Sequence, residues 1–316
     1  MNSAAIIACQ AIVMFVLLAV GYFLYKRHWL DSESTRKLSN ITISIINPIV
    51  IFNAYQRDFD FELLTGLLAA LVLALISQVV LVLCGMIAVH KSGKNFQVDR
   101  FAIAYSNCAF MGIPLVEAAF GSEGVLYLTG YITVFNIFLW THGVISMGGS
   151  SGGAKGLLKV LLSPPIMSIV LGLLFFFFGW RLPDLLQQPL DYLGSMNTPL
   201  AMLVSGATIA KAGLGSAFKN KRVYFIQIFK LIAVPVVLIA AFVPLTLTGL
   251  VSPEVVRITV IAAAAPTASA TIMFAYKFGR NEKYAANQFA LSTLFSVASL
   301  PLVLLLTEAF EGLIAL

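Results

Sequence analysis

Two apolar segments are each interrupted by a proline, at matching places in the two halves of the chain. They are AYSNCAFMGIPLVEAAFG, which contains Pro114, and VIAAAAPTASATIMFAYKFG, which contains Pro266, 152 residues later. A proline removes a backbone donor and clashes with the preceding turn, which hydrocarbon tolerates only where protein or water satisfies the freed groups. Paired interrupted helices in two repeated halves are typical of the substrate site of a secondary transporter. The spacing therefore predicts a binding site at the two breaks.

The chemistry expected at the breaks is anion binding. Each break frees the N-terminus of a half-helix, with unpaired amides and the positive end of the helix dipole. Two such ends that meet from opposite directions form an anion site without a full cation. The side chains predicted to bind substrate at this depth are Ser106, Asn107, Thr267 and Ser269.

The backbone at the first break has its own predictions. Gly112 is predicted to take the unusual dihedral angles of the junction, and Pro114 to lie in the first turn of the next helix. The alternative interpretation is two proline kinks whose hydroxyls bond carbonyls of their own helices. That alternative suits a single kinked helix better than a matched pair beside Asn107.

Two charged residues are candidates for coupling. Glu117, one turn past Pro114, could carry a proton or coordinate a cation, or equally face an outer vestibule. Lys230 could balance an anion, although snorkelling of its stem to the cytoplasmic face is the favoured interpretation. Additional side chains that could line a cavity are Asn53, Asn136 and Thr198.

No cofactor or metal site is predicted. His28, His90 and His142 lie near the ends of apolar runs without carboxylate partners, and no phosphate-binding loop, metal-ligand spacing or pair of intramembrane aspartates occurs. Nothing in the sequence supports an enzyme.

The composition is that of a polytopic membrane protein. The apolar fraction of 59% and the charged fraction of 11% lie outside the averages of soluble domains, about 45–50% and about 25%. The net charge of +6 arises from basic residues in short loops, so it indicates membrane topology and contact with lipid rather than nucleic-acid binding. Cys9, Cys84 and Cys108 all fall in apolar runs and are interpreted as small hydrophobic residues.

Ten apolar runs approach the length of about 20 residues that crosses a bilayer. They are 4–25, 38–56, 63–89, 101–120, 125–147, 157–180, 189–210, 223–245, 255–278 and 285–306. Sixteen Lys and Arg residues fall in or beside the odd-numbered connections and three in the even-numbered ones, which predicts cytoplasmic odd loops and extracytoplasmic termini. The first run has its basic residues after it, unlike a cleavable signal peptide, so it is expected to remain as a membrane helix.

The two halves are predicted to be inverted repeats. Gly21 and Gly172 are 151 residues apart, as are Pro48 and Pro199. Five spans per repeat is an odd number, so the second copy must insert upside down. The predicted fold is therefore an all-α membrane protein of two inverted five-helix repeats, 1–147 and 157–316, joined by a Gly/Ser-rich linker over 148–156, with broken helices four and nine crossing.

Several segments resemble the auxin efflux carrier family. NCAFMGIPL is similar to the family's crossover segment, and APTASATIMFAYKFG followed by LSTLFSVASLPLVLLL is similar to its ninth and tenth spans. ISIINPIVIF and TPLAMLVSGATIA resemble its second and seventh spans. The chain departs from the plant carriers in having a short linker in place of their long cytoplasmic loop, and from relatives with Asn-Pro in span six in having Ser163-Pro164. A bacterial member is the better match.

The resemblance implies an arrangement and a function. A dimerising scaffold would comprise 1–56 and 157–211, and a transport domain of 62–147 and 222–310 would move against it like an elevator. Asn107, Pro114 and Pro266 would bind the substrate, a small organic anion such as malate or malonate or an auxin-like monocarboxylate. The expected location is the bacterial inner membrane, as a homodimer. The alternatives are a sodium-coupled symporter resembling the bile-acid carriers, with Na⁺ or H⁺ as the coupling ion, and an anion-binding receptor that does not transport.

Overall fold

The computed structural model describes residues 3–91, 93–149, 158 and 161–314, and within these residues all regular structure is helical. Most of the predicted linker, 150–156, lies outside the described residues. The helices are α1 Ser3–Lys26, α2 Ser32–Ile41, α3 Asn47–Ala54, α4 Phe61–Ala88, α5 Phe96–Ala104, α6 Ile113–Phe138, α7 Val144–Ser146, α8 Pro164–Phe178, α9 Asp184–Ser195, α10 Asn197–Ala212, α11 Leu214–Phe218, α12 Lys221–Ile228, α13 Val234–Thr246, α14 Pro253–Ala264, α15 Ala270–Lys277 and α16 Glu282–Ile314.

Wider π-helical turns continue several of these helices. They join α2 to α3, precede α6, join α6 to α7 and join α12 to α13, at Thr42–Ile46, Cys108–Gly112, Leu139–Gly143 and Phe229–Ala233. Such turns are rare and are frequent at functional sites. Two of the four adjoin residues of the candidate site, Asn107 and Lys230.

Five helical runs of the described chain are long and apolar enough to cross a membrane: Ile6–Lys26, Phe61–Ala88, Cys108–Ser146, Lys221–Thr246 and Glu282–Ile314. The 39-residue run Cys108–Ser146 is bent at Gly121, whose φ of 66° and ψ of −162° are not helical. The bend falls between the predicted fourth and fifth spans. Gly121 tolerates this conformation because it has no Cβ.

The predicted seventh span, 189–210, is wrong in its first part. Residue 189 lies inside α9, which has no buried residues, and the chain enters α10 only after Met196. The segment Asp184–Ser195 is amphipathic, with Gln187 and Asp191 beside leucines. Apolar content alone therefore merged part of a surface helix with the buried helix that follows.

Helices α1 and α10 approach each other closely enough for their backbones to touch. A Cβ on Gly206 would overlap the Leu18 carbonyl oxygen and lie 2.7 Å from the Tyr22 amide nitrogen, and a Cβ on Gly21 would overlap the Leu203 backbone. Small residues at these crossings let backbones pack directly, which is the main source of helix association in lipid.

Burial increases from the peripheral helices toward α5 and α14. Phe23 of α1, Ile87 of α4 and Leu171 of α8 expose about half or more of their surface, as apolar residues facing lipid do. In contrast, α5 from Phe101 and α14 from Val255 are almost entirely buried. Helices α5 and α14, which lead into the two interrupted segments, are thus deeply buried.

We expect Gly206→Ala to destabilise the protein in detergent. The new methyl group would meet main-chain atoms that cannot rotate away, and overpacking of this kind costs about 1–3 kcal/mol or more. The midpoint of thermal unfolding measures the effect. Gly312→Ala in α16 is the matched control, because a Cβ there meets nothing within 4 Å. Equal midpoints for the two variants would contradict the close approach of α1 and α10.

Candidate substrate site at the crossing segments

The two interrupted segments pair with each other directly. Helix α5 ends at Ala104 and α14 ends at Ala264, and the residue that follows each helix is extended. The backbone N–H of Asn107 donates to the Pro266 carbonyl at 2.7 Å, and the backbone N–H of Ala268 donates to the Tyr105 carbonyl at 2.9 Å. Residues Ser106 and Thr267 therefore face each other in a short antiparallel bridge.

Each segment also caps the helix that precedes the other. The Thr267 hydroxyl donates to the Ala102 carbonyl of α5 at 3.1 Å, and the Ser106 hydroxyl donates to the Ala263 carbonyl of α14 at 2.7 Å. The last four carbonyls of a helix lack partners within it, so these bonds satisfy groups that would otherwise be buried unpaired.

Ser106 and Thr267 are therefore fully engaged with protein. Both side chains are fully buried, and each hydroxyl donates across the crossing rather than into an open space. The structure shows their hydroxyls bonding one interrupted segment to the other, and their predicted contact with substrate stays a prediction. The alternative of hydroxyls bonding carbonyls of their own helices is wrong for these two residues, because each bonds the opposite helix.

Asn107 is a polar residue of the crossing with a donor left over. Its amide nitrogen Nδ2 has no hydrogen-bond partner among the described residues, and the residue is only 5% exposed. Its carbonyl accepts from the Met111 amide, so the helix restarts immediately after it. A buried N–H without an acceptor costs about 1–3 kcal/mol, which a bound acceptor would recover.

The backbone distortion lies before Asn107 and not at Gly112. Gly112 is helical, with φ −70° and ψ −47°, so the predicted unusual dihedral angles there are wrong. Tyr105 is extended, with φ −116° and ψ 113°, and Asn107 has ψ of 52°. Pro114 is the second residue of α6, but α6 directly continues the π-helical turn Cys108–Gly112, so the new helix starts before Pro114 and not at it.

The second half-helix begins later than the position of its proline suggests. Helix α15 starts at Ala270 after Ser269, so Pro266 lies in the extended segment. Ser269 is half-buried, and its side chain makes no capping bond. Two residues, Ala268 and Ser269, therefore separate the bridge at Thr267 from the start of the second half-helix.

Lys230 lies inside the crossing. It is fully buried in the turn Phe229–Ala233, and its ammonium donates to the Ser106 hydroxyl and, at 3.1 Å, to the Ala263 carbonyl. The expectation that it snorkels to the cytoplasmic face is wrong. The oxygens of Ser106 and Ala263 stabilise the ammonium inside the protein. The position of Lys230 along span eight could not reveal this, because it does not show which way the side chain points.

A second buried polar group, which the sequence analysis missed, centres on Asp99. Its carboxylate is fully buried and accepts from Arg222 Nε at 2.5 Å, from the Tyr284 hydroxyl at 2.7 Å and from Gln288 Nε2 at 2.8 Å. These bonds tie α5 to α12 and α16. The signal that could have found it is an aspartate two residues before the apolar run that starts at Phe101.

Glutamines connect that carboxylate to the crossing. Gln227 Nε2 donates to Gln288 Oε1, and the Thr267 hydroxyl lies 3.4 Å from Gln227 Oε1. On the other side, Gln78 Nε2 donates to the Ala104 carbonyl at 2.8 Å. Glutamines within apolar helices were the available signal, since a buried amide requires partners.

Four other predicted residues share no hydrogen bond with the crossing segments in the described chain. Glu117 and Asn53 line an open cavity of about 470 Å³ between α3, α6 and α9, and the roles expected of Glu117 stay predictions. Asn136 donates to the Ile132 carbonyl of its own helix at 2.8 Å, and Thr198 is half-buried in the first turn of α10. The structure thus groups Ser106, Asn107, Pro266 and Thr267 with Lys230.

Comparison with known proteins identifies the family of this chain. A family model described as membrane transport protein matches residues 6–304. The chain belongs to that family. The resemblance to the auxin efflux carrier family is thereby confirmed, and the protein is a multi-pass membrane transporter rather than an enzyme.

The relatives of this membrane transport protein come from archaea and bacteria. It is 26% identical to an "Uncharacterized transporter" of Methanothermobacter thermautotrophicus, over 92% of this chain and 94% of that protein. It is 24% identical to a Rhizobium meliloti protein named "Putative malonate transporter", over 90% of this chain and 91% of the relative.

We expect Thr267→Val to destabilise the transporter more than Thr259→Val does. Both threonines are buried and the substitution is close to isosteric, but only Thr267 satisfies a carbonyl at a helix end. Thr259 donates to Val255 of its own helix. The loss at Thr267 should be about 1–3 kcal/mol larger. Thermal unfolding in detergent measures it, and similar midpoints for both variants would show that the cross-capping bond contributes little.

Proposed function

We propose that this transporter moves a small organic anion by alternating access, with the anion held at the crossing. The substrate class is a carboxylate such as malate or malonate, or an auxin-like monocarboxylate. The observation that carries the proposal is the unpartnered, buried amide of Asn107 next to a crossing that contains the Lys230 ammonium.

The electrostatics of the crossing favour an anion over a cation. The ion pairs of the described residues, five in number, do not include Lys230, so its charge has no carboxylate partner. The helix that restarts after Asn107 directs its free amides and positive dipole end toward the same region. A carboxylate there would accept from Asn107 Nδ2 and reduce the uncompensated positive charge.

The name of the Rhizobium meliloti relative, "Putative malonate transporter", supports a carboxylate substrate. The charged groups of malonate and malate are carboxylates. A carboxylate accepts strong hydrogen bonds from amide donors and is attracted to the positive charge of a lysine. At 24% identity, the relative suggests a class of substrate for this transporter and not a particular molecule.

The proposed architecture has ten spans in two inverted repeats. The bend at Gly121 supports counting Cys108–Ser146 as two spans, and the pairing of Asn107 with Pro266 supports a crossing of helices from both halves. The close packing of α1 on α10 supports a scaffold built from 1–56 and 157–211, against which 62–147 and 222–310 move as a transport domain. We propose a homodimer in the plasma membrane with both termini outside.

We expect Asn107→Ala to lose carboxylate binding and transport without losing stability. The Asn107 side-chain nitrogen bonds no protein group, and the backbone bond to Pro266 survives the substitution. Losing one hydrogen bond to a charged ligand should weaken binding about 10- to 100-fold. Binding is measured by thermal shift with malonate, malate and indole-3-acetate, and transport by uptake of the best ligand into proteoliposomes.

Asn40→Ala is the matched control, because Asn40 is exposed on α2. It should bind and transport like the wild type. Transport by Asn107→Ala at the wild-type rate would contradict the assigned site. Saturable binding by the wild-type protein without flux would favour the receptor alternative over transport.

A further inference from the structure

Two asparagines outside the crossing are buried with unpaired side-chain atoms. Asn197, the first residue of α10, is 1% exposed, and neither its Oδ1 nor its Nδ2 has a hydrogen-bond partner in the described chain. Asn47, the first residue of α3, is 3% exposed, and its Oδ1 is unpaired there as well. We call Asn47 and Asn197 the scaffold amide pair. Buried amides without partners are rare, and each indicates a group that the protein itself does not supply.

The packing of α3 on α9 brings the scaffold amide pair together. Asn53 Nδ2 donates to Asp191 Oδ1 at 3.0 Å, and a Cβ on Gly194 would lie 3.5 Å from Val50 Cγ2. Three residues back along α3 thus match three residues forward along α9, which is the register of antiparallel helices. Continuing this register by one turn sets the two members of the pair opposite each other. The packing of α10 on the turn Thr42–Ile46, directly before α3, agrees with this placement.

The pair lies between the open cavity and the crossing. Val50 and Gly194 line the cavity of about 470 Å³, and each is three residues from a member of the pair. Further along α10, Met202 borders the same small void as Met111, which belongs to the turn that follows Asn107. A molecule that moves between the cavity and the crossing along α10 therefore passes the scaffold amide pair.

The start of α10 gives the pair the chemistry of an anion site. Helix α10 has 16 residues and begins at Asn197 after a break at Met196. The first backbone N–H groups of a helix have no partner within it, and they carry the positive end of the helix dipole. An anion at this place would accept from these groups and from Asn197 Nδ2. The unpaired Oδ1 of Asn47 would accept from a hydroxyl, a protonated carboxyl group or a water bound with the anion.

We propose that the scaffold amide pair and the N-terminus of α10 form a second anion site, which a substrate carboxylate occupies between the open cavity and the crossing. The choice of a carboxylate rests on the proposed function, whereas the site itself rests on the unpaired amides. The competing explanation is that the amides only hold buried water where α10 begins.

The two explanations make opposite predictions for Asn197→Asp. This change keeps the shape of the side chain and replaces its donor by a carboxylate. Acidic residues are stabilising in the first turn of a helix, so a site that only holds water tolerates the change. A site that holds an anion loses it by repulsion. Asn197→Leu removes both hydrogen-bonding groups, and Asn40→Asp on the exposed face of α2 is the matched control for added charge.

Equilibrium dialysis of radiolabelled malonate against the protein in detergent measures the sites. The wild type and Asn40→Asp should show two classes of site, the weaker one filling at roughly tenfold or more higher concentration, because only the crossing contains the Lys230 charge. Asn107→Ala should keep the weaker class alone, and both Asn197 variants should keep the tighter class alone. A single class in the wild type, or two unchanged classes in Asn197→Asp, would overturn the proposal.

A second probe separates this proposal from the proposed function. If malonate binds the wild type in one class that Asn107→Ala removes, the second site fails and the proposed function stands. If malonate does not bind at all, the carboxylate substrate fails, and crystals grown in sodium bromide decide whether the second site exists. Bromide at hydrogen-bonding distance from Asn197 Nδ2 in the wild type, and absent in Asn197→Asp, would support the site; no bromide there would overturn it.

Discussion

The reciprocal satisfaction of backbone groups where the two broken helices cross is the constraint on which the site depends. Extended backbone at Tyr105–Asn107 and around Pro266 releases amides and carbonyls that hydrocarbon cannot satisfy. The two segments bond each other, and Ser106 and Thr267 cap the opposite helices. Neither interruption is viable alone. The full burial of Ala262–Ala265, side chains small enough for such close passage, follows from the same requirement.

The sequence was informative wherever the physics is local. The prolines indicated which two segments are interrupted, and Pro266 lies in its interruption, whereas the first interruption lies at Tyr105–Asn107, before Pro114. The apolar content identified a polytopic membrane protein. Properties that depend on helix rotation and tertiary contact were not accessible. The inward orientation of Lys230, the cross-capping by Ser106 and Thr267, and the start of α15 after Ser269 are set by the partner segment. The glycine with non-helical dihedral angles proved to be Gly121 and not Gly112. A glycine at a bend between two helices and a glycine at the start of a helix cannot be told apart from the sequence.

The buried network around Asp99 makes the crossing part of a larger rigid unit. Through Arg222, Tyr284 and Gln288 the carboxylate joins α5 to α12 and α16, and Gln227 extends the connection to Thr267. Satisfied buried polar groups hold their elements in one geometry, since moving one partner leaves the others unpaired. A crossing fixed in this way favours carrying the site as a body over opening it helix by helix, and the proposed elevator motion has that character.

Charge balance constrains the substrate further. A single buried ammonium that forms none of the ion pairs of the described chain is electrostatically unfavourable in a low-dielectric interior. One bound carboxylate neutralises it, so the loaded site would be close to neutral and easier to move through the bilayer than the empty one. A dianion such as malonate would leave one negative charge, which the amides after Asn107 or a bound proton would have to stabilise. The site as built therefore matches one carboxylate group best, and a second carboxylate would need the amides after Asn107 or protonation to stabilise it.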